Sequence, residues 1–261
     1  MKKEIWNWTA YLGDCLDVMK EMESKIVDLI VTSPPYDNLR TYNWSLEWWE
    51  HIWKPIIKEC SRIIKKWWVI VWVVWDATIK WSETWTSFRQ ALYFKDECWL
   101  NIHDTMIYAK QNPIPQNHNR YVQCWEYMYV FSKWKPKTVN KILQECKHKW
   151  WNSMWTRYNP DWTMRYAHKK WQPIKDTKPK TNIWYYSVWW KWLWHPAIFP
   201  EKLAEDHILS WSNEWDIVLD PFMWSNTTWK MAELNNRKWI GIEKDEQYFN
   251  IWCERILNIN K

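Results

Sequence analysis

The sequence predicts an α/β fold, a doubly wound and mainly parallel sheet with an irregular basic region inserted into it. Three observations predict this. Short β-branched runs alternate with amphipathic stretches of helical period at both ends of the chain. Two of those runs leave through stiff turns, Thr32-Ser33-Pro34-Pro35-Tyr36 and Asp220-Pro221-Phe222, and a third ends in an acid about twenty residues after the second. From Gln111 to Trp194 the apolar periodicity mostly fails, interrupted by Pro113, Pro115, Pro136, Pro160, Pro173 and Pro179.

Taken in order, Ile26-Val27-Asp28-Leu29-Ile30-Val31 is a short apolar run that reads as a buried strand. Leu46 to Lys66 reads as an amphipathic helix, with Trp49, Ile52, Trp53, Ile56, Ile57, Cys60 and Ile63 on one face. Val69 to Val74 is a second buried strand. A helix follows over Phe88 to Glu97, then strands over Ile102 to Tyr108 and Glu126 to Phe131. After the irregular stretch come a helix over Glu201 to Ser210 and a strand over Ile217 to Leu219 that runs into Asp220-Pro221-Phe222. A helix over Thr227 to Asn235, the strand Trp239-Ile240-Gly241-Ile242-Glu243 and a helix over Glu246 to Asn258 close the chain. No heptads or repeats appear. Residues 1–261 therefore read as a single domain, with approximately 111–194 as the insert.

Composition narrows the function. The 261 residues can bury a large core without disulfides or metal. The six cysteines (15, 60, 98, 124, 146 and 253) form no Cys-x-x-Cys pair, which speaks against a zinc site or a disulfide framework and fits a reducing cytoplasm. The first residues lack the apolar stretch of a signal peptide, and the longest apolar run, Trp67 to Trp75, is too short to cross a bilayer. No membrane partner is expected. The net charge of +6 is unevenly spread. Residues 133–180 hold 13 Lys or Arg against Glu145, Asp161 and Asp176, a net of +10 that leaves the rest of the chain at −4. That is the footprint of a polyanion-binding region.

The turn at Ser33 is rigid, because each proline fixes its own φ and holds the preceding residue extended. Its carbonyls and the Tyr36 ring can therefore point at a ligand. Ser33-Pro34-Pro35-Tyr36 after an apolar strand resembles the catalytic loop of the DNA amino-methyltransferases, which transfer a methyl group from S-adenosylmethionine to the exocyclic amine of cytosine or adenine. Asp220-Pro221-Phe222 with Thr227-Thr228 resembles that family's cofactor loop. Leu12-Gly13-Asp14-Cys15 and His195-Pro196-Ala197-Ile198-Phe199-Pro200 are further matches. The catalytic loop precedes the cofactor loop here, as in the β-type group of this family (the N-4/N-6 DNA methylases). That order argues against the RNA- and protein-modifying relatives. The resemblance spans roughly residues 10 to 257.

The resemblance implies a Rossmann-like methyltransferase fold, double-stranded DNA as partner, no metal, and the region between the two loops as the target-recognition part. It also admits a cognate restriction nuclease, while the oligomeric state is not legible. Ser33 and the carbonyl of Pro34 would accept from the amine as its nitrogen pyramidalises, Pro35 would stiffen the loop, and Tyr36 would stack on the flipped base. On the cofactor side, Asp220 would face the methionine end and Phe222 line the pocket beside Pro221, Trp224 and Ser225. The helix start at Thr227 and Thr228 would favour the cofactor carboxylate. Glu243 would take the ribose hydroxyls, Asp14 the adenine edge, and His195 would contact the cofactor. Serine at the first loop position favours cytosine-N4 as the target, with adenine-N6 the alternative. A non-catalytic DNA-binding protein that kept the fold is the alternative of another class.

One feature of the composition departs from any ordinary globular chain. There are 31 tryptophans and 2 glycines, where about 18 glycines would be usual for this length. Trp67, Trp68, Trp75, Trp81, Trp85, Trp99, Trp134, Trp162, Trp189, Trp190, Trp215, Trp224 and Trp229 stand in turn or cap contexts that call for glycine. Trp72, Trp184 and Trp211 sit in apolar or aromatic settings that suit an indole. The pattern is that of a gene reading UGA as glycine, written with a table that reads it as tryptophan. Asn226 is a separate departure from the family, which often has glycine there.

Overall fold

The computed structural model describes residues 2–5, 8–35, 48–113, 119–146, 152–153, 156–166, 172–173, 175–187, 199–223, 227–250 and 253. The backbone divides into two compact units, 141–181 and everything outside it. In the larger unit nine strands form one sheet: β1 (Lys2–Ile5), β2 (Trp8–Leu12), β3 (Val27–Thr32), β4 (Ile64–Val74), β5 (Asn101–Lys110), β6 (Trp125–Ser132), β7 (Ile183–Tyr186), β8 (Ile217–Asp220) and β9 (Lys238–Glu243). Their order is β1-β2-β9-β8-β3-β4-β6-β5-β7. Neighbours pair in parallel, except where β1 and β6 enter as antiparallel strands. The expected doubly wound, mainly parallel sheet is what the chain builds.

Helices cover both faces. On one lie α1 (Cys15–Glu21) and α2 (Glu50–Ile63), whose Trp53, Ile56, Ile57, Cys60 and Ile63 pack with Ile30, Ile70, Trp72, Tyr129 and Leu219. Burial of this contiguous apolar set drives the packing, at roughly 25 cal/mol per Å². The expected stripe is right except at its first member, since Trp49 is the N-cap of α2 and half exposed. On the other face lies α4 (Glu201–Trp211), whose His207 meets Met128, the strand neighbour of Tyr129. There α4 packs with α5 (Thr227–Leu234). The helix expected over Phe88 to Glu97 is α3 (Thr86–Leu92) followed by a π turn over Tyr93–Glu97. That turn seats Phe94 on Phe131 with ring centroids 4.2 Å apart.

Three expectations change. The sheet takes in Trp125–Ser132 and Ile183–Tyr186, so the separate unit is 141–181, narrower than 111–194. Helix α2 ends at Ile63, and Trp67 is no helix cap. It lies in a bulge of β4, where Val27 faces Ile64 but Leu29 already faces Val69. Trp229 lies within α5, outside the cofactor turn, with its ring 5.2 Å from that of Trp239.

The smaller unit is a long nested hairpin. Leu143–Glu145 pairs with Thr177–Pro179, Asn152–Ser153 with Gln172–Pro173, and Thr156–Tyr158 with Met164–Tyr166, all antiparallel. The tip closes as Asn159 N–H donates to the Thr163 carbonyl at 3.0 Å and Trp162 N–H to the Asn159 carbonyl at 2.9 Å. Asp161 Oδ1 accepts from Thr163 N–H at 3.0 Å and from its hydroxyl at 2.6 Å. Among the described residues no helix is long and apolar enough to cross a membrane.

Nine non-glycine residues among those described have positive φ: Lys25, Trp67, Lys80, Trp81, Trp85, Trp99, Trp162, Trp215 and Asn236. Six of them are tryptophan, and neither glycine has positive φ.

Candidate active site

Four adjacent parallel strands, β2, β9, β8 and β3, bring the described candidate residues to one end of the sheet. Val218 pairs with Leu29 and Leu219 with Ile30, so β8 and β3 end side by side. Asp220 stands opposite Gly241, and Glu243 opposite Leu12. From β3 the chain winds outward through α2 to β4, and from β8 it winds the other way through α5 to β9. The crevice between β3 and β8 is thus a topological switch point, where open α/β sheets bind ligands beyond the strand carboxyl ends.

The catalytic-loop candidates lie at the end of β3. Ser33 is half-buried, and Pro34 and Pro35 are buried. Asp220 ends β8, with its carboxylate in the crevice. Its Oδ1 accepts the Thr32 hydroxyl at 2.6 Å and the Phe222 N–H at 3.0 Å. Full burial pushes its carboxyl up to about 7, against the hydrogen bonds from Thr32, Phe222 and Thr228 that favour the charged form. Pro221 is buried. Phe222 presents its ring edgewise to Trp48, centroids 5.6 Å apart, and to Trp72 at 6.3 Å.

Glu243 closes β9. Burial raises it to about 7 as well, with the charges of Asp245 and Asp220 adding to the effect. Its Oε1 accepts the Asp245 N–H at 2.9 Å, and its carbonyl accepts the Gly13 N–H at 2.8 Å. The latter bond ties the Gly13-Asp14 turn to the end of β9. Asp14 is the N-cap of α1: its Oδ1 accepts the Leu16 N–H at 3.0 Å, while Oδ2 lies 3.2 Å from Lys244 Nζ. Thr227 and Thr228 open α5 and are buried. The Thr228 hydroxyl donates to the Val31 carbonyl at 3.4 Å, so that side chain reaches across to β3.

Tyr36, His195, Trp224 and Ser225 lie outside the described residues.

Sequence reasoning missed three participants. Thr32, quoted with the turn but given no role, ends β3 fully buried and hydrogen-bonded to Asp220. Gly241 was read as part of a strand, yet a Cβ there would lie 2.2 Å from Met223 Sδ. With no Cβ at 241 the Met223 side chain lies directly against β9, where Met223 N–H donates to the Ile242 carbonyl at 3.0 Å. Trp48, buried against Phe222, carried no signal at all.

The donor set fits the cofactor the sequence implies. Two buried carboxylates share one crevice, and neither forms an ion pair with a described cation. Such groups call for a ligand carrying positive charge and hydroxyls.

Comparison with known proteins points the same way. The family model described as "DNA methylase" (N6_N4_Mtase) matches residues 27–254. The orphan methyltransferase M.BamHII of Bacillus amyloliquefaciens is 48% identical over 257 residues, 95% of this chain and 91% of that protein. The DNA adenine methyltransferase YhdJ of Escherichia coli (strain K12) is 28% identical over 264 residues, 95% of this chain and 82% of that protein. Among solved structures, the cytosine-N4-specific PvuII DNA methyltransferase superposes with a TM-score of 0.69 at 21% identity, over 93% of this chain and 84% of that one; it shares the fold.

Proposed function

This chain belongs to the DNA methylase family that methylates exocyclic amines with S-adenosylmethionine, and from that premise we propose how its own residues divide the work. When bound, the cofactor supplies an electrophilic methyl group. Asp220 and Glu243, the two carboxylates of the crevice, hold it by its charged methionine end and its ribose hydroxyls, and Phe222 flanks it. Ser33 and the Pro34 carbonyl accept from the target amine. An exocyclic amine is a poor nucleophile because its lone pair is delocalised into the ring, and acceptors aimed at its hydrogens favour the pyramidal, attacking form. Two buried prolines fix those acceptors, so they need little reorganisation as the reaction proceeds. Tyr36 stacks on the flipped base and offsets part of the unstacking cost. The basic hairpin within 141–181 supplies phosphate contacts and target recognition.

The single observation that carries this reading is the ending of β3 and β8 side by side, which supports an acceptor role for the loop at Ser33 and a cofactor role for the loop at Pro221. The test is calorimetric titration with S-adenosylmethionine together with methyl incorporation into duplex DNA, in the chain carrying glycine at all thirteen tryptophan positions whose contexts call for it. Binding with incorporation supports the roles. Absence of both leaves a DNA-binding protein that kept the fold.

For the target base we favour cytosine-N4, on the serine at position 33, over adenine-N6, which the name of the relative YhdJ favours. Nuclease digestion and mass spectrometry of the methylated DNA decides between them, and methyladenine as the sole product reverses our choice. The relative M.BamHII is named an orphan, so we read this chain as working without a companion nuclease. Tyr36→Ala is expected to lower turnover far more than cofactor affinity, since base–aromatic stacking is worth roughly 1–3 kcal/mol. An equal loss of cofactor affinity would make Tyr36 structural.

A further inference from the structure

Thr32 and Thr228 join the two halves of the site, and their geometry goes beyond packing. The acceptor loop starts one residue after Thr32, and the cofactor turn starts one residue after Asp220. These loops are far apart in sequence, yet the Thr32 hydroxyl donates to Asp220 Oδ1 at 2.6 Å in a fully buried setting. A second bond runs the opposite way, from the Thr228 hydroxyl on the cofactor side to the Val31 carbonyl on the acceptor side at 3.4 Å. The Thr32 hydroxyl thus crosses from the end of β3 to the end of β8, and the Thr228 hydroxyl from the start of α5 to β3. Methyl transfer needs nitrogen, carbon and sulfur in line, and a displacement of about 1 Å can cost 10²-fold in rate. We propose that Thr32 and Thr228 are positioning residues, a two-point clamp that sets the spacing and alignment of the acceptor loop against the cofactor loop. Neither is a catalytic residue, since each acts through Asp220 or the β3 backbone. The proposal rests on the division of roles given above.

The test compares Thr32→Val, which keeps the shape and removes the donor, with Thr32→Ser, which keeps the donor. Both are made in the full chain as its own cell translates it, beside the parent. Single-turnover methyl transfer, KM for duplex DNA and the thermal midpoint are measured. Thr32→Val is expected to slow the methyl-transfer step roughly 10–100-fold with KM for DNA unchanged, and Thr32→Ser to recover most of that loss. Thr228→Val is expected to slow the step further when added to Thr32→Val. Equal rates for parent and Thr32→Val overturn the clamp, as does a Ser variant as slow as the Val variant. So does a lowered midpoint with the rate per cofactor-binding site preserved. A parent that binds no cofactor and methylates no DNA overturns the division of roles itself, which separates the two failures.

A different observation, the backbone conformation, carries a second inference. Of the thirteen tryptophans whose contexts call for glycine, ten are described: 67, 68, 75, 81, 85, 99, 134, 162, 215 and 229. Six of these, at 67, 81, 85, 99, 162 and 215, have φ between 55° and 76°, the left-handed region that glycine enters freely and that a Cβ penalises. None of the three whose setting suits an indole, at 72, 184 and 211, has positive φ; all three are buried. The six left-handed indoles are all large exposed side chains, up to 84% exposed at Trp99, and the ring contacts that Trp67, Trp85 and Trp162 make leave each of them exposed. Turn context and positive φ coincide at six of the ten described positions and at none of the three that suit an indole. We infer that these six positions carry glycine in the protein its own cell makes, inserted at UGA codons.

Two measurements test this. The gene is expected to read UGA at codons 67, 81, 85, 99, 162 and 215, and UGG at 72, 184 and 211. Peptide mass spectrometry of the natively made protein is expected to show the mass of glycine at the six positions. UGG codons at the six positions, or indole-containing peptides spanning them, would overturn the inference.

Discussion

Two buried carboxylates give the site a pH signature. Asp220 and Glu243 are each raised to about 7 by burial, whereas in the unfolded chain they titrate near 4. Between those values the folded protein holds more protons than the unfolded one, so stability falls as pH rises. Their contribution is fully present below about pH 4 and lost as pH passes through about 7. Buried His207, lowered to about 3, pulls stability the other way over the same window, so the two carboxylates are read by difference: without cofactor, the thermal midpoint of the parent is expected to fall relative to that of Asp220→Asn as pH rises from about 4 to about 7. Parallel profiles for the two would refute it. Ligation of the charged forms also expels protons, so cofactor affinity is expected to rise from pH 6 to 8, read as proton release by calorimetry in buffers of different ionisation enthalpy. Gly241 adds a steric prediction at the same scale. The added Cβ of Gly241→Ala would lie 2.2 Å from Met223 Sδ, and overpacking of this kind costs about 1–3 kcal/mol. Urea unfolding should show that loss, and the displaced turn should weaken cofactor binding with it. An unchanged midpoint would mean that Met223 simply swings away.

At the scale of elements, the basic hairpin carries its own prediction. Neutralising Lys175, Lys178 and Lys180 together is expected to weaken DNA binding and to lower the slope of log affinity against log salt, by about 0.9 for each phosphate that a lysine no longer neutralises. A fall in affinity with an unchanged slope would place these lysines away from the phosphates. How much of each element could be read from sequence follows from how strongly its burial is patterned. Strands β3, β8 and β9 are largely buried and read as apolar runs, and the candidate residues at their ends stand out with them. Strand β7 was absorbed into the irregular region, because Ile183 and Tyr185 are exposed while Trp184 and Tyr186 are buried, and four residues of alternation are too few to stand out. The start of β4 was hidden by its bulge at Lys65-Lys66-Trp67, which interrupts any period. Thr32 could not be recognised as a link to Asp220, since its partner lies 188 residues away and only the sheet order brings them together.

For the whole molecule, the indoles are the dominant energetic question. A left-handed conformation costs an L-residue roughly 1–2 kcal/mol, and six tryptophans adopt it. Domains of ordinary size are held together by about 5–15 kcal/mol, so a penalty of this order at six places is comparable with the entire stability. Buried sites add to it. The Trp229, Trp239 and Trp211 indole N–H groups have no hydrogen-bond partner in the interior, and an unsatisfied buried donor costs about 1–3 kcal/mol. Of these three, only Trp229 is among the thirteen, and it lies inside α5. The expected outcome is that the chain with glycine at 67, 81, 85, 99, 162 and 215 unfolds at a distinctly higher urea concentration than the chain with tryptophan there. The slope of free energy against denaturant should remain similar, because the same surface is exposed on unfolding. Adding glycine at 229 should raise stability further only if α5 closes the space the ring leaves; otherwise the cavity offsets the gain. Equal midpoints for the six-glycine and six-tryptophan chains would show that the turns tolerate the indoles, and the backbone argument for glycine would then fail.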